Sequence, residues 1–122
     1  MRFVILIRHN PQAVELWRQL SVEQREAGLA AYTALNEELE AAGEMVVSAA
    51  LADPALARRV TVRDGETIAT DGPYAEVKEH LAGFYLVECS AERAVEIAAR
   101  TPDAEWSEVL VRPVLDLAAH GL

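Results

Sequence analysis

Apolar and polar positions divide this chain into alternating strand-like and helix-like stretches. Phe3 to Ile7 is an unbroken β-branched and aromatic run, the pattern of a buried central strand. Asn10-Pro11 then reads as a helix start, with Asn10 as N-cap and Pro11 at the first helical position. Val14, Trp17 and Leu20 follow at helical spacing. Ser21-Val22-Glu23-Gln24 fits a second start, a capping box in which Gln24 stands three residues after the cap. Leu29, Tyr32, Leu35 and Leu39 predict one apolar face, and Gly43 is the expected stop. Further on, residues 44–51 read as a strand, and residues 59–63 and 67–70 as a hairpin turned by Asp64-Gly65. Phe84 to Cys89 is the next strand. Ser90 caps a helix from Ala91 to Arg100, which Thr101-Pro102 stops. Trp106 to Arg112 is the final strand, ended by Pro113, and the apolar tail from Val114 to Leu122 is expected to pack on something.

The order is therefore β, α, β, hairpin, β, α, β. It implies a ferredoxin-like α+β domain spanning residues 1–122, an antiparallel sheet with helices on one face. The strands carry too many apolar residues for the other face to be wet. A second copy of the chain stacked on it is the natural solution, so a homodimer is expected.

Composition narrows the partners. The net charge is −9, from 20 acidic against 11 basic residues, which argues against nucleic acid. The single Cys89 excludes an intrachain disulfide or a cysteine-based metal cluster and points to a reducing, cytoplasmic setting. The first strand has only five consecutive apolar residues, too few for a secretory core, and no run approaches the roughly 18 of a membrane span. His9, His80 and His120 are scattered without metal-ligand spacing, so no metal is expected. No phosphate loop, dinucleotide fingerprint or nucleophile elbow occurs, so no cofactor is expected either.

The densest polar cluster begins at Asp71-Gly72-Pro73, where the chain must turn because Gly72 permits positive φ and Pro73 offers no N–H. Asp71 is a candidate general base or ligand anchor, and equally a turn residue that bonds the following backbone. Tyr74, Glu76, Lys78, Glu79 and His80 follow as candidate ligand-binding groups. If Pro73 opens a short helix, Glu76, Glu79 and His80 share one face while Lys78 points elsewhere. Carboxylates beside an imidazole can supply an acid and a base near neutral pH; the alternative is a solvated turn. His9, at the carboxyl end of the first strand, either faces the same cleft as Asp71 as a catalytic partner or serves the adjacent helix start.

Asp71-Gly72-Pro73-Tyr74-x-Glu76-x-Lys78-Glu79, followed by Gly83-Phe84, resembles the Asp-Gly-Pro-Phe (DGPF) motif family of the YCII-related superfamily. The opening strand, the long helix, the Val62-Arg63-Asp64-Gly65 hairpin and Val111-Arg112-Pro113-Val114 fall where that family has them, so the resemblance covers nearly the whole chain. It implies a dimeric α/β barrel built from ferredoxin-like protomers, with a cleft near the sheet. For YCII proteins proper it also implies a His–Asp catalytic pair. Asp71 matches the loop aspartate, but the first helices contain no histidine to match the helical partner, and Tyr74 stands where Phe is usual. The expected function is a homodimer that binds a small organic molecule in a cleft beside residues 71–79, with acid–base catalysis as one use of it. A non-catalytic regulatory module associated with transcription is the alternative, because some family members occur alongside sigma factors.

Overall fold

The computed structural model describes residues 1–73 and 79–121. Six strands and three α-helices follow in chain order: β1 (Arg2–His9), α1 (Pro11–Gln19), α2 (Val22–Ala41), β2 (Met45–Ala50), β3 (Arg58–Arg63), β4 (Glu66–Asp71), β5 (His80–Glu88), α3 (Ala91–Ala99) and β6 (Val109–Pro113). Four strands form one antiparallel sheet in the order β2-β5-β1-β6, while β3 and β4 pair only with each other. The fold is α+β with an open four-stranded sheet, not a closed barrel.

Strand alternation decides which residues make the core. Phe3, Ile5 and Ile7 of β1 share a face with Tyr85 and Val87 of β5, and all five are buried against Leu35 and Leu39 of α2 and Ala94, Ile97 and Ala98 of α3. Val4 and Leu6 point the other way. They are paired with Leu86 and Phe84 on one side and with Arg112 and Leu110 on the other, and among the described residues the buried side chains of α2 and α3 pack on the opposite face. Val47 extends it along β2 and is 45% exposed.

The helix signals act as read. Asn10 Oδ1 accepts from Ala13 N at 2.7 Å, and Ser21 and Gln24 form the complete capping box at the start of α2. Gly43, at φ +71°, ends that helix. An ionic cluster then ties α2 to α3. Arg93 reaches Glu44 at 3.0 Å and Glu38 at 3.3 Å, and Arg100 also meets Glu38 at 2.5 Å.

Several expectations change. Leu29 is not on the buried face of α2; it is 60% exposed. Strand β5 begins at His80, not Phe84, so His80 is extended and stands opposite His9 across the ladder. The proposed helix from Pro73 therefore cannot include it. Trp106 lies in a turn before β6 and not in the strand, because Pro102–Glu105 form a single 3₁₀ turn that carries the chain past the sheet edge. The apolar tail is largely exposed at Leu115 and Leu117, although Val114 N donates to Arg2 O at 2.9 Å.

Candidate active site at the end of the first strand

The ladder between β1 and β5 shifts register between Ile7 and Arg8. Such an irregularity re-aims the side chains that follow it. Arg8 turns to Glu79, with Nη1 3.1 Å from Oε2. His9 turns to the opposite face, where its Nε2 meets Asp103 Oδ2 at 2.7 Å. A carboxylate can only accept, so the ring nitrogen facing Asp103 carries the proton. In the neutral imidazole this leaves Nδ1 with a lone pair, the form of a general base.

Asp103 is held from several sides. It sits in the 3₁₀ turn behind α3, and the buried Thr101 fixes that turn by donating its hydroxyl to Ala98 O at 2.8 Å. Tyr32, from the middle of α2, donates its phenol to Asp103 Oδ1. Both carboxylate oxygens are thus engaged. Burial by itself would raise the Asp103 pKa, but the hydrogen bonds from His9 and Tyr32 outweigh it and hold the group below the usual carboxylate range. Burial and the adjacent Asp103 charge push the Tyr32 phenol well above its ordinary value, so it stays a donor. Tyr85 stacks on Tyr32, with ring centroids 6.4 Å apart and planes 10° off parallel, and donates its hydroxyl to Asn36. Its pKa is pushed up to about 12, by burial and then by Asp103.

A cavity of about 620 Å³ opens beside this cluster, walled by His9, Trp17, Leu29, Tyr32, Asp103 and Trp106. That volume is in the usual range for small-molecule sites. Trp17 and Trp106 form a corner, with centroids 6.4 Å apart and planes tilted by 52°. Two further hollows, of about 380 and 470 Å³, meet the first at His9; one reaches Asn36 and Ser48 along the sheet and the other reaches Asp53 and His80. A hollow of about 800 Å³ lies between Met1, Arg2 and the C-terminal segment, and among the described residues neither an imidazole nor a phenol lines it.

The sequence-predicted candidates separate into two places. His9 and His80 share one ladder position and one hollow. Asp71 ends β4, where its carboxylate is 91% exposed and 3.4 Å from Arg58. The carboxylate that meets His9 is Asp103 and not Asp71. Glu79 is spent on Arg8. Tyr74, Glu76 and Lys78 lie outside the described residues. Asp103 carries no strong local signal of a site, because Thr101-Pro102 reads as a helix stop, and Trp17 and Trp106 read as core or dimer contacts rather than a stacking platform. The one available signal is that an aspartate follows a helix-ending Thr-Pro beside a Trp, a weak pattern without the fold. Among the described residues no three His, Cys, Asp or Glu side chains gather as a metal site.

Comparison with known proteins supplies the family. The YCII-related domain matches residues 1–118. The chain belongs to the YCII-related family. An uncharacterised protein of Rhizobium meliloti (strain 1021), R00369, is 32% identical over 99 residues, covering 80% of this chain and 77% of that protein. This YCII-related chain contains a His–Asp pair, but the histidine comes from a strand end and the aspartate from the turn behind α3. Among the described residues no helix is long and apolar enough to cross a membrane.

Proposed function

We propose that this YCII-related chain binds a small organic molecule in the cavity beside His9 and transfers a proton on it. His9 is the general base through Nδ1, and Asp103 is the positioning residue that fixes its tautomer and stabilises the imidazolium formed. Tyr32 completes the arrangement by holding Asp103. The observation that carries this reading is the 2.7 Å His9–Asp103 contact on the wall of a mostly apolar cavity of about 620 Å³. Asp71 and the ligand-binding candidates Tyr74, Glu76, Lys78, Glu79 and His80 take a subsidiary part in holding the ligand. No cofactor is assigned, and a reducing cytoplasmic setting suits the lone Cys89, whose thiol is kept protonated chiefly by burial.

The protein works as a ferredoxin-like homodimer, two sheets stacked as a dimeric α/β barrel. Support comes from the strand order β2-β5-β1-β6 and from the sheet face away from the buried side chains of α2 and α3, which carries Val4, Leu6, Val47, Phe84, Leu86 and Leu110. Leu6→Glu then gives a folded monomer by sedimentation; a wild type that is itself monomeric at all concentrations refutes the dimer.

A thermal-shift screen against a metabolite library tests the site, run on wild type, His9→Gln and Asp71→Asn. A ligand at a hundred times its Kd adds about 2.7 kcal/mol of stability. A compound that shifts the wild type and not a well-folded His9→Gln supports the reading. A library that shifts neither, or shifts both equally, refutes it.

A further inference from the structure

We infer that the cavity beside His9 selects an aromatic amine and discriminates against carboxylates and phosphates, the ammonium group being taken by Asp53. This rests on the cavity being the ligand site proposed above. The charges on its wall give the sign. Among the described residues no lysine or arginine lines it, while Asp53 and Asp103 both do. Asp103 is spent on His9 and Tyr32. Asp53 is different. Its Oδ1 accepts from Ala55 N at 2.9 Å, as the cap of the short turn Pro54–Leu56, and its Oδ2 has no partner among the described residues.

Two arginines stand near this wall without lining it: Arg18 lines the adjoining hollow that also holds Asp53, and Arg25 caps α1. Arg25 donates Nε to Trp17 O at 3.2 Å and Nη2 to Arg18 O at 2.7 Å, which closes the carbonyl end of α1. Its guanidinium lies over the Trp17 ring, 5.8 Å from the centroid. An anionic ligand would therefore meet two carboxylates and, among the described residues, no lysine or arginine lining this wall. A cationic one would find a carboxylate oxygen and the electron-rich face of the Trp106 ring. The Trp17–Trp106 corner suits a planar ring, against which Leu29 and Val14 add apolar surface.

A charge series on one ring tests this: tryptamine, 3-ethylindole and indole-3-propionate differ only in the group at the end of a two-carbon arm. Titration calorimetry of the wild type at physiological salt is expected to rank them in that order. Attraction in one case and repulsion in the other are each worth a few-fold at a partly exposed site, so the extremes differ on the order of ten-fold. Asp53→Asn keeps the turn cap and the fold, and is expected to bring tryptamine down to the affinity of 3-ethylindole. Indole-3-propionate binding as tightly as tryptamine overturns the inference while leaving the cavity as a ligand site. A tryptamine preference unchanged in Asp53→Asn overturns the assignment of Asp53. If none of the three binds at millimolar concentration while the metabolite screen finds a ligand that His9→Gln loses, only the aromatic-amine class fails. If the screen finds nothing either, the site itself fails.

Discussion

Asp103→Asn is the perturbation that bears most directly on the site. The carboxylate accepts from His9 and from Tyr32, and its side chain is 21% exposed, whereas His9 is 42% exposed. A hydrogen bond to a charged group contributes about 1.5–3 kcal/mol when buried. The exposed imidazole places its share at or below the lower end, and asparagine can still accept one hydrogen bond from Tyr32. The substitution should therefore cost about 1.5–2.5 kcal/mol at neutral pH, roughly 6–10 °C in Tm for a chain of this length. The pH dependence follows from the direction of the shift. The folded pKa of Asp103 is depressed, so ionised Asp103 favours the native state. That contribution is fully present above the unfolded value of about 3.9 and is lost as the pH falls through the lower folded value. Urea unfolding of both proteins at a series of pH values should show a gap that narrows below about pH 4. A gap below about 0.5 kcal/mol at pH 7, or one that does not narrow by about pH 3, would refute the reasoning.

Three other outcomes follow from the structure. Gly83→Ala places a Cβ 2.9 Å from the backbone oxygen of Ala49 in the adjoining strand, and should destabilise by about 1–3 kcal/mol in urea unfolding because neither backbone can retreat. Ser21→Ala removes the cap that accepts from Gln24 N at 3.1 Å, and should cost about 1 kcal/mol with some loss of helical ellipticity. The phenols of Tyr32 and Tyr85 are both raised, so they favour folding below the unfolded tyrosine value of about 10 and cease to do so as the pH climbs through the folded values. Alkaline unfolding followed by tyrosinate absorbance should accordingly set in above about pH 10, and Tyr85→Phe should move it.

Local rules made much of this fold legible. The Asn10 and Ser21 caps, the Gly43 stop and the Asp64-Gly65 turn each act through neighbours a few residues away, and each is where the sequence puts it. The unbroken apolar run from Phe3 to Ile7 marks a buried central strand, but only the packing of helices on one face decides that Phe3, Ile5 and Ile7 are the buried set. Leu29 misleads because the sequence does not say how far along α2 the sheet extends beneath it. The opening of β5 was obscured because His80, Leu81 and Ala82 lack β-branched character, and pairing with β1 overrides that weak propensity. The His9–Asp103 contact joins residues 94 positions apart, and no local pattern records it. The motif at Asp71 is dense, but density in sequence does not say which charges meet across a fold.

The site also depends on the core in a way that no single motif does. His9 is aimed by a register shift between two strands, Asp103 by a turn that the buried Thr101 ties to α3, and Tyr32 by the middle of α2. These elements are held together by the same sheet face, with Ile5, Ile7, Leu35 and Ile97 among its buried residues. A substitution there, such as Leu35→Ala, should cost about 2–5 kcal/mol and loosen the approach of α2 to the sheet. Because Tyr32 is one turn from Leu35, the hold on Asp103 should weaken with it, even in protein that remains folded. The imidazole would then lose its fixed tautomer before the chain loses its fold. Such a variant should show impaired proton transfer at a temperature where its circular dichroism is still native.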